Sequence, residues 1–256
     1  MSDAVGPAGP AGGGAGGAGG AGNAGPPSPA ARLRRVLENE SSSVRLQGAL
    51  AAGTTPDASF VDVLVRRSAV EPDFFVREML TWALMRHPSS ATVRRLVYEV
   101  GADESQARSQ ALHTLSKIGD PAGWAAITPE LLRDPDDGVA RAAWRTAAGV
   151  VPAGQEPELA EHLCSQLARG THETERSLSR ALAMLGAAAL APLEARRGDA
   201  SGRVRVHAAA TERLVADPDA DLDELFGDAQ RAEDARRAGQ GPLPDATETA
   251  TANGPA

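Results

Sequence analysis

A pattern that returns roughly every thirty residues constrains this chain more than any other feature of its sequence. A short acidic or polar loop is followed by a small apolar residue and an arginine, then by apolar residues at helical spacing. It reads Ser43-Val44-Arg45, Asp73 to Val76-Arg77, Asp103 to Ala107-Arg108, Asp136 to Ala140-Arg141 and Asp199 to Val204-Arg205. Successive arginines lie 32, 31, 33 and 64 residues apart, the last interval spanning two periods with a degenerate copy, Thr174 to Leu185, in which Leu178 replaces the arginine. A unit this short cannot bury its own apolar face, so the units must stack, each helix pair covering the next.

Counting from the arginine, offsets minus 1, plus 3 and plus 7 hold Val76, Leu80 and Leu84 in one copy and Ala107, Ala111 and Leu115 in the next, one face of a helix. Each such helix is preceded by another: Phe60 to Ser68, Ser90 to Val100, Ala122 to Leu132, Pro157 to Leu167 and Ala188 to Ala195. Breakers separate them at Pro72, Pro88-Ser89, Gly119-Asp120-Pro121, Pro135, Pro152-Ala153-Gly154 and Gly198. The expected fold is all-α, a solenoid of four to five antiparallel helix pairs over 30–216, opened by Arg32 to Glu38. An acidic capping helix is expected over 217–238, with a docking motif at Asp221-Leu222-Asp223-Glu224-Leu225-Phe226 as the alternative. Residues 1–29 are almost all Gly, Ala, Pro and Ser and 239–256 are polar, so both ends are expected to be disordered.

The segments from Val70 to Leu84 (VEPDFFVREMLTWAL) and from Ala107 to Asp120 (ARSQALHTLSKIGD) resemble bacterial HEAT-like repeats of the PBS-lyase type. The resemblance covers roughly 30–214 and is similar to HEAT regions of high-GC bacteria, some attached to MerR-class regulators. Such regulators carry a helix-turn-helix head, where this chain has a Gly-rich segment, so the resemblance does not imply promoter binding. HEAT repeats imply an architecture and are nearly silent on chemistry.

Aromatic content of 3% against 42% apolar demands a core of Ala, Leu and Val, which suits closely packed helices better than a sandwich of sheets. The formal charge is -8, but residues 30–214 hold 23 charges of each sign while the stretch from Val215 onward holds ten acidic and three basic residues. A neutral middle is no footprint for a nucleic-acid backbone. Only Lys117 among 26 basic residues is a lysine, a mark of GC-rich coding, so arginine abundance by itself carries no functional weight. A lone Cys164 cannot make an internal disulfide, and neither a membrane-spanning stretch nor a signal peptide is evident. The expected compartment is the cytoplasm.

The recurring charges, Arg45, Asp73, Arg77, Asp103, Arg108, Asp136, Arg141 and Arg205, read as scaffold, each arginine bonding a loop carboxylate of the neighbouring repeat. Offsets plus 2, plus 5 and plus 9 point away from the core, and the resemblance implies that these second helices line a concave surface. There the expected partner-binding residues are Met79, Trp82, Arg86, Gln110, His113, Lys117, Arg180 and His207, with Trp82 as aromatic anchor. The alternative for Trp82 is packing between repeats. Trp144 and Trp124 read as core.

His162 and Cys164 are two apart on a helix and so diverge, and only one His-Glu pair, His172-Glu173, is present, whereas the HEAT-fold iron hydroxylases carry several. No metal, cofactor or catalytic residue is expected. Two functional classes follow: a non-catalytic protein-interaction scaffold, possessing another protein as partner and tied to transcriptional or signalling control, or a nucleic-acid-related protein like the HEAT-like DNA glycosylases. The charge balance favours the first.

Overall fold

A computed structural model describes residues 26–239. The expectations for 1–25 and 240–256 lie outside the described residues. Twelve α-helices are described: α1 (Pro29–Leu37), α2 (Ser42–Thr54), α3 (Phe60–Val70), α4 (Phe74–Met85), α5 (Ser89–Glu99), α6 (Ser105–Ile118), α7 (Asp137–Val150), α8 (Glu156–Cys164), α9 (His172–Met184), α10 (Leu190–Arg196), α11 (Gly202–Ala216) and α12 (Leu222–Gly239). They stack in two layers. The second helices α2, α4, α6, α7, α9 and α11 pack in sequence against one another, and α1, α3 and α5 line up beside them, as do α8 and α10 further along. Five pairs are α-helical throughout. In a sixth unit, before α7, two short 3-10 segments replace the first helix.

That sixth unit departs from the helix expected over Ala122 to Leu132, which is instead Pro121–Ala126 and Leu131–Arg133 separated by extended Ile127. Pro129 removes a backbone donor and forces Thr128 away from helical backbone. Trp144, fully buried on α7, then donates its indole N–H to the Leu132 carbonyl at 2.8 Å. The core runs continuously from Leu33 and Leu37 to Leu193 and Ala208 and is built of leucine, alanine and valine around Trp144. A second cluster, Val206, Ala210 and Leu214 against Leu222, Leu225, Phe226 and Ala229, joins α12 to α11. Each large side chain buried there contributes about 1.5–3 kcal/mol.

Two of the recurring aspartates, Asp73 and Asp136, turn out to be helix caps. Asp73 Oδ1 accepts from the Val76 N–H at 3.1 Å and Asp136 Oδ1 from the Val139 N–H at 3.0 Å, satisfying donors that a helix start leaves open. Carboxylates engaged in this way do not reach the repeating arginines, and the Asp103 side chain makes neither a cap nor an ion pair among the described residues, so the expected ladder through Asp73, Asp103 and Asp136 is corrected. The arginines meet other carboxylates. Arg45 donates to both oxygens of Glu71 at 2.8 and 2.7 Å, Arg108 to Asp134 at 3.1 and 3.4 Å, and Arg205 to Glu233. A third nitrogen of each turns back to the loop before its own helix, to carbonyls of Asn39 and Glu40, Ala102 and Asp103, or Asp199 and Ala200. Arg77 makes only the loop contacts, with the Glu71 and Pro72 carbonyls, while Asp103 stays exposed. Arg141 pairs with Glu173 near the surface at 2.5 Å.

Burial by itself would raise the Glu71 carboxyl. Hydrogen bonds from Arg45, the Asp73 backbone and Arg67 outweigh it and hold the group below the usual carboxylate range.

Candidate functional site

The sequence contains only 3 Trp, 1 Tyr and 4 Phe, and α4 alone exposes Phe74, Phe75 and Trp82, with relative exposures of 58%, 72% and 38%. Spacing of three, four and seven residues puts Phe75, Glu78, Met79, Trp82 and Arg86 along one stripe of this helix. Met79 is half-buried against the core, whereas Arg86 and Met85 are exposed. Phe74 and Phe75 meet edge to face with ring centroids 5.6 Å apart, and the Arg77 guanidinium lies 5.9 Å from the Phe74 centroid. Trp82 packs between repeats along one ring edge and is exposed over the remainder. A Cβ at Gly53 on α2 would sit 2.3 Å from Trp82 Cζ3 and 2.9 Å from Ala83 Cα, so the ring edge lies directly on glycine backbone while the remainder is accessible.

Sequence reasoning passed over Phe74 and Phe75. The available signal was the gathering of a scarce residue type between positions 74 and 82.

On α6, beside α4, Gln110 and His113 are half-buried and Lys117 is exposed. His113 Nε2 lies 3.2 Å from Glu78 Oε1 of α4, so the outward faces of these two helices meet at that point. Burial lowers the proton affinity of His113, Glu78 opposes that effect, and the charges of Arg145 and Lys117 reinforce it.

Arg180 lies further along, in a groove of about 640 Å³ between α7 and α9 that Arg141, Arg145, Arg176 and Met184 also line. Arg145 and Arg176 were missed because arginine abundance was assigned to coding bias. Their signal was present as two pairs at i and i+4, Arg141 with Arg145 and Arg176 with Arg180, on successive second helices.

His207 is corrected from a surface residue to a core one. It is 1% exposed, enclosed by α9, the segment around Ala168 and the Phe226 ring of α12, whose centroid lies 5.3 Å away. Its Nδ1 accepts the Ala168 N–H at 2.9 Å, which places the proton on Nε2, 3.0 Å from Ser179 Oγ. Burial pushes the imidazole down to about 3, aided by Arg203 and His172 and opposed by a backbone carbonyl at Glu175. The outward position of the last copy is therefore occupied by the closing helix.

Cys164 is buried in apolar surroundings that push its thiol up to about 12. Among the described residues no three His, Cys, Asp or Glu side chains gather closely enough to hold a metal, and no helix is long and apolar enough to cross a membrane. An open apolar cavity of about 700 Å³ lies at the other end of the stack, lined by Leu33 and Val36 of α1, Val44 and Ala51 of α2, and Phe60.

Neither protein-family models nor curated proteins match the sequence. Among solved structures, an engineered protein is 19% identical with a TM-score of 0.42, covering 72% of this chain and 95% of its own. The complex of CpcE and CpcF of phycocyanin lyase from Nostoc sp. is 17% identical with a TM-score of 0.34, covering 83% of this chain and 97% of that one. By the stacking of its own helices, the described chain is an all-α solenoid of antiparallel helix pairs.

Proposed function

We propose that the protein is a non-catalytic interaction scaffold or adaptor that holds a partner protein on the face of its second helices, anchored at α4. The observation that carries this reading is the exposure of Phe74, Phe75 and Trp82 on a single helix of a chain so poor in aromatics. Leaving large apolar groups in water forgoes the stabilisation that core burial would bring, and a contiguous patch of them is a common mark of a binding surface. Aromatic rings beside Met85, Arg77 and Arg86 have the composition of an interface hot spot. The sequence resemblance to HEAT regions of high-GC bacteria, some attached to MerR-class regulators, supports a partner in transcriptional or signalling control, and a cytoplasmic location accords with that reading.

The test is affinity capture with chemical cross-linking from the source cell, using the full chain and the variants Phe75→Ala and Trp82→Ala. Phe75 is exposed enough for its truncation to leave the thermal transition unchanged, so loss of a cross-linked protein with Phe75→Ala is the expected result. Unchanged capture with both variants would remove α4 from the interface. Tight, salt-sensitive binding of duplex DNA by the wild-type chain would instead favour the nucleic-acid class.

A further inference from the structure

Four arginines converge in the groove between α7 and α9 in a chain whose overall charge is -8. Arg141 and Arg145 are one turn apart on α7, as are Arg176 and Arg180 on α9, an arrangement in which like charges repel. Two of the four are neutralised within the fold, Arg141 by Glu173 at 2.5 Å and Arg176 by Asp223 of α12 at 2.6 Å. Arg145 and Arg180 have no ion pair among the described residues, and Arg141 Nε is buried with no hydrogen-bond partner. Crowding within the fold and the neighbouring Arg141 charge both lower the proton affinity of Arg145, while Glu78 opposes them. Arg145 and Arg180 thus stand exposed in the groove with no carboxylate of the described residues paired to either. The groove is not purely polar, because Ala181 lines it and Met184 is 55% exposed at its edge.

We propose that this groove binds an acidic peptide segment of the partner protein, with Arg145 and Arg180 meeting its carboxylates and Met184 an adjoining apolar side chain. The proposal rests on the scaffold reading and specifies the chemistry of the partner. A planar guanidinium matches a carboxylate through two parallel hydrogen bonds, which favours directional capture of individual acidic side chains. A nucleic-acid backbone would need a continuous basic track, and the surface of the described residues does not offer one. Carboxylates interrupt it at Glu78 and Glu173, and on α11 Arg203 and Arg213 are already paired with Glu175 and Asp228. The net negative charge of the chain also opposes diffuse attraction of an acidic ligand, so any binding must be local.

The experiment measures fluorescence anisotropy of a short labelled peptide of glutamates around a central leucine, titrated with the full-length chain at near-physiological salt. A glutamine-for-glutamate peptide and an oligothymidylate of equal length are the comparison probes. The expected result is binding of the acidic peptide alone, weakened at least about tenfold in the Arg145→Gln/Arg180→Gln double variant and in Arg180→Glu, with unchanged thermal transitions. Absent peptide binding, equal affinity for oligothymidylate, or indifference to both variants would overturn the proposal. Cross-linking capture distinguishes the two levels. A partner lost with Phe75→Ala but retained by the arginine double variant sinks the acidic-segment proposal and leaves the scaffold, whereas failure of the wild-type chain to capture any protein sinks the scaffold itself.

Discussion

Acidification tests the buried His207 directly. Its folded value of about 3 lies below the ordinary 6.5, so the unfolded chain binds the proton more readily than the folded one. The stabilisation is complete above the unfolded value and is lost as pH falls through 6.5 toward 3. At about 1.4 kcal/mol per tenfold difference in proton affinity the full span is worth about 5 kcal/mol, of which about 2 kcal/mol is lost by about pH 5. The perturbation is His207→Asn, whose side-chain oxygen can still accept from the Ala168 N–H but cannot titrate. Urea unfolding of both proteins near neutrality and near pH 5 gives a difference of differences. Other groups, including His113, whose proton affinity burial also lowers, contribute to both proteins and cancel. The wild type should lose about 2 kcal/mol more than the variant between the two conditions. Equal losses would show that His207 is not held neutral by the packing of α9, α11 and α12.

Four substitutions examine the scaffold. Gly53→Ala, which drives a methyl group into Trp82 and the α4 backbone, should destabilise the chain by about 1–3 kcal/mol in thermal unfolding and alter Trp82 fluorescence. Ala168 has a φ of 61, a backbone conformation that strains any L-residue with a Cβ, so Ala168→Gly should raise stability by about 0.5–1 kcal/mol in urea unfolding. Glu71→Ala leaves Arg45 buried without its carboxylate and should remove about 3–5 kcal/mol in chemical denaturation. Asp103→Ala, at an exposed position, should change stability by less than about 0.5 kcal/mol in the same measurement, and comparable losses from the two would refute the assignment of the buried pair.

Period and helix faces were legible because they are local, whereas the helix expected over Ala122 to Leu132 gave way to two 3-10 segments. An apolar stripe at Val76, Leu80 and Leu84 repeats with the pitch of a helix, and capping aspartates and prolines act within a few residues of where they stand. The sequence by itself therefore determined a stack of helix pairs with a leucine, alanine and valine core, and it brought Trp82 and His113 to adjacent helices. Tertiary structure alone decided which surfaces remained open. His207 and Arg180 occupy the same offset in their repeats, yet α12 and the Ala168 segment cover the first while the second faces a groove. Likewise, Arg45 found Glu71 rather than an aspartate of the loop, since Asp73 was already committed to its helix start. Exposure and pairing depend on what a neighbouring element places over a side chain and on the reach of its partner, and neither distance is contained in the spacing of residues along the chain.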